Sequence, residues 1–443
     1  NKGKENNGAT YGRRSDWQNL YTIAKKYYEA LLADPGNALF HLTDPRGASD
    51  KSGRTFNNPY QYFFEQMHMD DAIYADESIY EYPMQQGGGN DGRPYSFGRP
   101  SSGGSKAAYP CKSYGQGRIN PAYFYGIFDP NDMRRDVSIT MTGSNGKGVE
   151  KLIPFVPNSK AEGGGLTLNK WDENRQANPW VAAQRKSGIN GPYMRMSEVY
   201  LGYAEVCAAL GDVVTGKQYL KTVRERSFPQ GLANTDAFIA SFGNDLVRAI
   251  IEERGFEYAG EGDRRWTLIR SGYLPEDIKR IKDMTKAMMD GLATKGYYEF
   301  ENGNIISAYI WTKLVDAKTI YGHRLTAQCP TDKVNDPVLY PGWRGQKDNW
   351  EEMGLNYGSS TPATNLAIKG LFEIVSEEEA ASLESQGYTK VNWGIDLVDN
   401  RDEYDKYLFW DYDYVSAPIY LWPFTPNVMA AGGFTNGYGF KQE

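Results

Sequence analysis

The stretch RAIIEERGFEYAGEGDRRWTLIRSG, Arg248 to Gly272, decides how this chain folds. It carries Glu252, Glu253, Arg254, Glu257, Glu261, Arg264, Arg265 and Arg270, threaded with Ile250, Ile251, Phe256, Trp266 and Leu268. Arg254 and Glu257 stand three apart and so share a helix face. Glu261 and Arg264 do the same if one helix crosses Gly260-Glu261-Gly262. Such a cluster is either an anion site or a buried network that locks a helix onto its neighbours. The structural reading is favoured, because breaking such pairs is costly. Arg254, Glu257, Glu261, Arg264 and Arg270 are its expected members.

Helical text continues outward from this segment. Upstream, MRMSEVYLGYAEVCAALGD puts Met196, Val199, Tyr203, Val206, Cys207 and Leu210 on one stripe, and GKQYLKTVRERS follows a short connection. Two helices joined this way, within 193–227, form an αα-hairpin. A third helix runs from about Asp236, its text continuing to Ile269. Near the start, apolar spacing from Asp16 to Leu32 predicts an amphipathic helix capped by Ser15 or Asp16 and stopped by Asp34-Pro35-Gly36. PYQYFFEQ opens a second helix, and Ser78 to Tyr82 suits a short strand. Downstream, Pro275 to Met289 and Glu377 to Ser385 read as helices and Ile305 to Val315 as a strand. The ring-rich, Pro- and Gly-punctuated C-terminal stretch from Pro418 is expected to wrap the body without forming a helix. The class is mainly α, with a third to two fifths helix and little sheet.

Between these elements lie two irregular zones. From Met84 to about Arg118 the chain reads Gln-Gln-Gly-Gly-Gly, Gly-Arg-Pro and Ser-Ser-Gly-Gly, punctuated by Tyr95, Phe97, Tyr109 and Tyr114. From Thr142 to Pro192, glycines break any periodicity around Trp171 and Trp180. Long loops of this kind inside a domain are usually binding loops or lids.

Composition narrows the function. Among 443 residues, 49 basic side chains face 56 acidic ones, a net charge of −7, so the chain lacks the basic footprint that nucleic acid requires. Cys111, Cys207 and Cys329 stand too far apart for paired zinc spacing or a disulfide framework. His41, His68 and His323 have no partner at i+4, and no metal or cofactor motif is present. GSNGKG at 143–148 lacks the phosphate-loop spacing, and no GxSxG elbow occurs. Aromatic residues make up 14% of the chain, more than half of them Tyr, which suits rings that keep one edge wet.

The central stretch resembles the ER-x-x-E-x-x-x-E-G-x-R-x-x-D-L-x-R-x-G signature of the SusD/RagB family of Bacteroidetes. YMRMSEVYLGYAEVCAALGD is similar to that family's R-x-x-E-V-Y-L-x-Y-A-E helix, and TVRERS to its V-R-x-R end. DESIYEYP at 76–83 resembles its N-E-x-I-F-E strand. Tyr420-Leu421-Trp422-Pro423 and Asn436-Gly437-Tyr438 resemble its Y-L-W-P-I-P and N-P-G-Y motifs. Thr267 stands where the family has Asp, and Phe424-Thr425-Pro426 replaces Ile-Pro.

The resemblance implies a tetratricopeptide-like helical-repeat scaffold with long aromatic loops. Residues 1–60 would be the end of an N-terminal helical-repeat region whose earlier part is missing, and 61–443 the SusD/RagB-like region with its helix pair at 193–227. It implies a non-enzymatic, lipid-anchored protein on the outer face of the outer membrane. Such a protein captures an oligosaccharide and passes it to a SusC-like TonB-dependent transporter, with no cofactor or metal. A RagB-like peptide-binding uptake protein is the first alternative and a glycoside hydrolase, needing two facing carboxylates, the second. Ligand contact is expected in the irregular zones, where sugar C–H faces stack on rings and hydroxyls meet polar groups. The candidates are Tyr95, Phe97, Tyr109, Tyr114, Trp171 and Trp180, with Asn90, Asp91, Arg93 and Arg118. Trp171→Ala and Tyr95→Ala are expected to weaken binding with little loss of stability, and Arg254→Ala to do the reverse.

Overall fold

A computed structural model describes residues 15–45, 58–68, 74–89, 92–101, 112–145, 149–157, 163–173, 176, 180, 183–316, 364–408 and 425–433. About 48% of the described residues are helix and 14% strand, the mainly α class with little sheet that the sequence pattern predicts. In chain order the elements up to residue 271 are α1 (Trp17–Ala33), α2 (Pro59–Gln66), β1 (Ser78–Tyr82), α3 (Gly92–Phe97), α4 (Arg134–Ser138), β2 (Ile139–Thr140), β3 (Thr142–Ser144), β4 (Glu150–Leu152), β5 (Thr167–Leu168), β6 (Gly191–Arg195), α5 (Met196–Ala209), α6 (Val213–Glu225), α7 (Thr235–Ala240), α8 (Leu246–Glu257) and α9 (Asp263–Ser271). They are followed by α10 (Leu274–Lys295), β7 (Tyr297–Glu299), β8 (Ile305–Ser307), β9 (Tyr309–Asp316) and β10 (Thr364–Lys369). Short helices at Glu377–Ser385, Gly394–Asp399, Arg401–Leu408 and Pro426–Gly432, with β11 (Thr389–Asn392) and a π-helical turn at Tyr123–Ile127 between α3 and α4, complete the described set.

The strands pair antiparallel in small sheets: β1 with β6, β2 with β5, β3 with β4, β7 with β8, and β10-β9-β11. Side-chain caps explain several helix starts. Asn58 accepts from the backbone N–H of Gln61, Asp212 from Thr215 and Asp245 from Arg248, each satisfying a donor that the first turn leaves open. Asp16 stands at the N-cap of α1 but makes no side-chain capping bond. The expected hairpin is present as α5 and α6, closed by Leu220 and Val223 against Leu201 and Ala204 in one cluster. α1 lies on the same scaffold, where Tyr28 and Leu32 pack on Met196 and Val199 and Tyr203 donates to Glu29 at 3.1 Å. The largest core joins Phe124, Tyr125 and Phe128 to Met288, Met289 and Leu292 of α10 and to Trp393, whose indole N–H donates to Tyr125 at 2.8 Å.

Three sequence expectations are corrected. The helix does not cross Gly260-Glu261-Gly262, since α8 ends at Glu257 and α9 begins at Asp263. Gly260 and Gly262 have φ of +83° and +93°, and a Cβ on Gly260 would stand 2.5 Å from Leu168. Only glycine fits there without strain. The segment from Asp236 is accordingly three helices, α7, α8 and α9. The C-terminal stretch does form a helix at Pro426–Gly432, with Pro at its first turn and Gly433 in the left-handed conformation at its end. The Tyr420–Pro423 and Asn436–Tyr438 motifs lie outside the described residues. Trp266, within the charged stretch, is exposed.

The charged network is real, but its pairing differs from the i, i+3 expectation. Arg254 turns to Glu198 at 2.7 Å and Asp263 at 2.5 Å, not to Glu257. Its Nε also donates to Thr267, which donates in turn to Asp263. Glu261 pairs with Lys170 and Arg195 instead of Arg264, and Arg264 goes to Glu252 and Asp277. Arg270 holds Glu205. At the centre sits Glu257, fully buried, receiving Arg195 at 2.5 Å, Arg226 at 2.7 Å and Arg134 at 3.0 Å. Arg195 and Arg226 share Glu77 as well, so β1, β6, α6 and α8 meet at one charge cluster.

Burial raises the Glu252 carboxyl, but Arg264 and Arg280 outweigh it and hold the group down at about 2, against an ordinary 4.5. Glu257, held by Arg226, Arg195 and Arg134 against its burial, is likewise depressed. A depressed carboxylate stabilises the fold above its unfolded pKa, and that stability is lost as pH falls through the folded value. The urea midpoint is therefore expected to hold from pH 7 to 5 and to fall between 4.5 and 2. Glu252→Gln should lower the midpoint at pH 7 and flatten that fall; an unchanged acid profile would contradict the assignment.

Candidate functional site

The segment from Tyr114 to Ile119 threads between α3 and β5. The backbone N–H groups of Tyr114 and Gln116 donate to the carbonyls of Tyr95 and Ser96, while Leu168 donates to Gly117 and Ile119 to Leu166. Arg99, just past α3, donates its N–H to the Trp171 carbonyl at 2.7 Å. These bonds bring α3, the 114–119 segment and the Trp171 loop against the α8–α9 turn. Between them lies a cleft of about 480 Å³, lined by Arg93, Phe97, Gly117, Arg118, Ile119, Leu168, Trp171, Pro192, Tyr258, Gly260, Glu261, Gly262, Arg264 and Arg265.

Of the expected contact residues, Arg93, Phe97, Arg118 and Trp171 meet in this cleft. Phe97 is 47% exposed and offers a free ring face, whereas Trp171 is 2% exposed and forms wall and core together. Trp171 packs with Tyr60, Phe63, Phe64 and Leu168, and its indole N–H finds no acceptor among the described residues. Tyr95, Tyr114 and Trp180 do not line the cleft. Tyr95 is buried, edge-on to Tyr114 with ring centroids 5.0 Å apart, and Arg185 lies over its ring at 4.3 Å. It pins the loop, so the expectation that Tyr95→Ala leaves stability untouched is corrected. Trp180 lies against Gly87, where a Cβ would stand 2.9 Å from the indole ring. Tyr109, Asn90 and Asp91 lie outside the described residues.

The sequence pattern missed the part of the cleft supplied by the α8–α9 turn: Tyr258, Gly260, Gly262 and Arg265, together with Glu261 and Arg264, assigned to structure alone. The alternation of glycine with charge at 260–265 was the available signal. Glu261 accepts from Lys170 at 2.6 Å and from Arg195 at 2.9 and 3.1 Å. Burial drags Lys170 down to about 8, with Glu261 partly offsetting it. Burial also lowers Arg118 to about 10, which leaves it charged at neutral pH.

His68, which could have served as a ligand or base, is a fixed strut. Its Nδ1–H donates to Phe64 at 2.7 Å while Nε2 accepts from the Asp172 N–H at 2.9 Å. Among the described residues no cluster of His, Cys, Asp or Glu could hold a metal ion, and no helix is long and apolar enough to cross a membrane. Cys207 is a buried free thiol.

A family model described as the SusD family matches residues 39–423. The SusD-like protein P25 of Formosa agariphila is 28% identical over 160 residues, covering 36% of this chain and 26% of that protein. Among solved structures, surface glycan-binding protein A of Bacteroides thetaiotaomicron in complex with laminarihexaose is 17% identical, with a TM-score of 0.40 over 59% of this chain and 52% of that one. NanU of B. fragilis is 18% identical, with a TM-score of 0.36 over 57% and 51%. The chain thus spans about a quarter of the curated relative and about half of these solved chains.

Proposed function

The chain belongs to the SusD family, and on that premise we propose that it is a non-catalytic, cell-surface glycan-binding protein whose cleft beside Phe97 and Trp171 holds an oligosaccharide. The carrying observation is the pairing, in one cleft, of a half-exposed aromatic ring with a tryptophan wall and several guanidinium donors. Rings stack on the flat C–H faces of a sugar, and guanidinium N–H groups meet its oxygens. The α1, α5 and α6 scaffold would present this cleft from a lipid-anchored position on the outer membrane and deliver the ligand to a SusC-like TonB-dependent transporter.

Phe97→Ala is expected to weaken retention in glycan affinity electrophoresis by about 3- to 10-fold, the worth of one stacked ring. Its melting temperature should stay within about 2 °C of the parent, because the ring is half in solvent. No retention by any member of a glycan array, or the release of new reducing ends from a retained glycan, would overturn this function.

A further inference from the structure

Strands β1 and β6 form a two-stranded ribbon that is held from its buried side and bare on the other. Glu81 accepts from the backbone N–H of Ala75, the hydroxyl of Ser78 and the side-chain amide of Asn190. Arg195, at the end of β6, is fixed in the Glu257 charge cluster. Against that anchored backbone, Tyr80 and Tyr82 are about half exposed, Tyr193 is 75% exposed, and Met194 is exposed as well. Tyr80 and Tyr82 stand two apart on one strand, so they share a face and are separated by about 6 to 7 Å along it. Strict alternation would set Tyr193 and Met194 on opposite faces. The register instead steps from Tyr80–Met194 to Glu81–Pro192, which leaves Tyr193 without a partner on β1. Such an irregularity re-aims a side chain. The Tyr193 ring comes edge-on to Tyr80, with centroids 5.5 Å apart and planes at 84°.

This ribbon runs into the candidate cleft. Tyr82 pairs with Gly191, where a Cβ would collide with the Arg93 guanidinium, so glycine at this position is what admits Arg93. Arg93 Cζ lies 6.0 Å from the ring centre of Tyr82 and 5.9 Å from that of Trp171. Pro192, the next residue of β6, lines the cleft itself. Rings therefore follow one another from Phe97 and Trp171, past Arg93, to Tyr82, Tyr80 and Tyr193. An exposed cluster of this kind marks a surface for a ligand or a partner. Four side chains on a narrow ribbon are few for a protein partner, whose stable interface takes about 20 to 30 residues on each side. A sugar chain needs only a row of rings, each stacking on a C–H face and offering a hydroxyl to a neighbouring oxygen. The anchored backbone holds these rings in place before any ligand arrives, which lowers the cost of ordering them.

We infer that the bound oligosaccharide runs out of the cleft past Arg93 and lies along the β1–β6 ribbon, across Tyr82, Tyr80 and Tyr193. The ligand is then an extended linear chain, not a mono- or disaccharide. This rests on the glycan-binding reading above and sets the length class of the sugar.

Titration calorimetry of the full chain with linear malto-, cello-, laminari-, xylo- and β-1,4-galacto-oligosaccharides of two to eight units tests it. In at least one series the hexasaccharide is expected to bind about tenfold or more tightly than the trisaccharide, the worth of two added stacked rings. Tyr80→Ala combined with Tyr193→Ala should bring the hexasaccharide down to the level of the trisaccharide and leave the trisaccharide unchanged. Phe97→Ala should weaken both lengths alike. Tyr193→Ser alone, at the most exposed of the rings, should remove about threefold from the hexasaccharide only, and unchanged circular dichroism and melting would show that the ribbon persists. Affinity that does not rise with length, or a double variant that keeps the full hexasaccharide affinity, would overturn the ribbon subsite and leave the cleft standing. Failure of every series would overturn the inference, and an empty glycan array beside it would remove the glycan-binding reading too.

Discussion

Glu257→Ala is expected to lower the unfolding free energy by about 3 to 5 kcal/mol, because it removes one member of a buried charge cluster and strands the others. Three guanidiniums converge on this carboxylate, and Arg134, Arg195 and Arg226 are themselves fully buried. None can be rehydrated in place. A urea titration at pH 7 measures the effect, and a loss below about 1 kcal/mol would show that the cluster is replaceable. Glu257→Gln should fall between parent and alanine, keeping the hydrogen-bond acceptor while losing the charge.

Trp171→Ala carries the second large expectation, again about 3 to 5 kcal/mol, as for a large aromatic deleted from a core. The ring is 2% exposed and packs on Tyr60, Phe63, Phe64, Met67 and Ile189. The sequence-based expectation that this substitution spares stability is therefore corrected. Its effect on ligand is severe and indirect, since the cleft wall collapses with the core. Trp171→Phe separates the roles: it should recover most of the stability while leaving the cleft without the indole N–H. Thermal melting of both variants, beside glycan retention, is the check. A Trp171→Ala protein as stable as the parent would return this ring to the surface.

The elements legible in the sequence are those set by local periodicity and punctuation. Ser78 to Tyr82 and Glu377 to Ser385 fall where alternation and an acidic helix pattern place them. α5 and α6 follow their apolar stripe and the Asp212 cap. The family signature was equally readable, since it resides in residue order. Boundaries went wrong where two glycines turn the chain: an i, i+3 rule assumes a continuous helix, and Gly260 and Gly262 end it. The candidate cleft was legible only in part. Arg93, Phe97, Arg118 and Trp171 were marked by their setting in irregular, glycine-rich sequence, but nothing local separates them from Tyr95, which faces inward, or Trp180, which lies on Gly87.

Sequence by itself determined the class and the helical scaffold and favoured a charge network over an anion site at Arg248 to Arg270, because spacing, capping and charge order are written along one chain. Tertiary structure alone decided who pairs with whom. Glu257 chose Arg134, Arg195 and Arg226, which lie 123, 62 and 31 residues away. It also decided that arginines from three separate segments border one cleft while the carboxylate beside them is already taken. Coulomb attraction and burial depend on distance in space, and distance along the chain does not encode it.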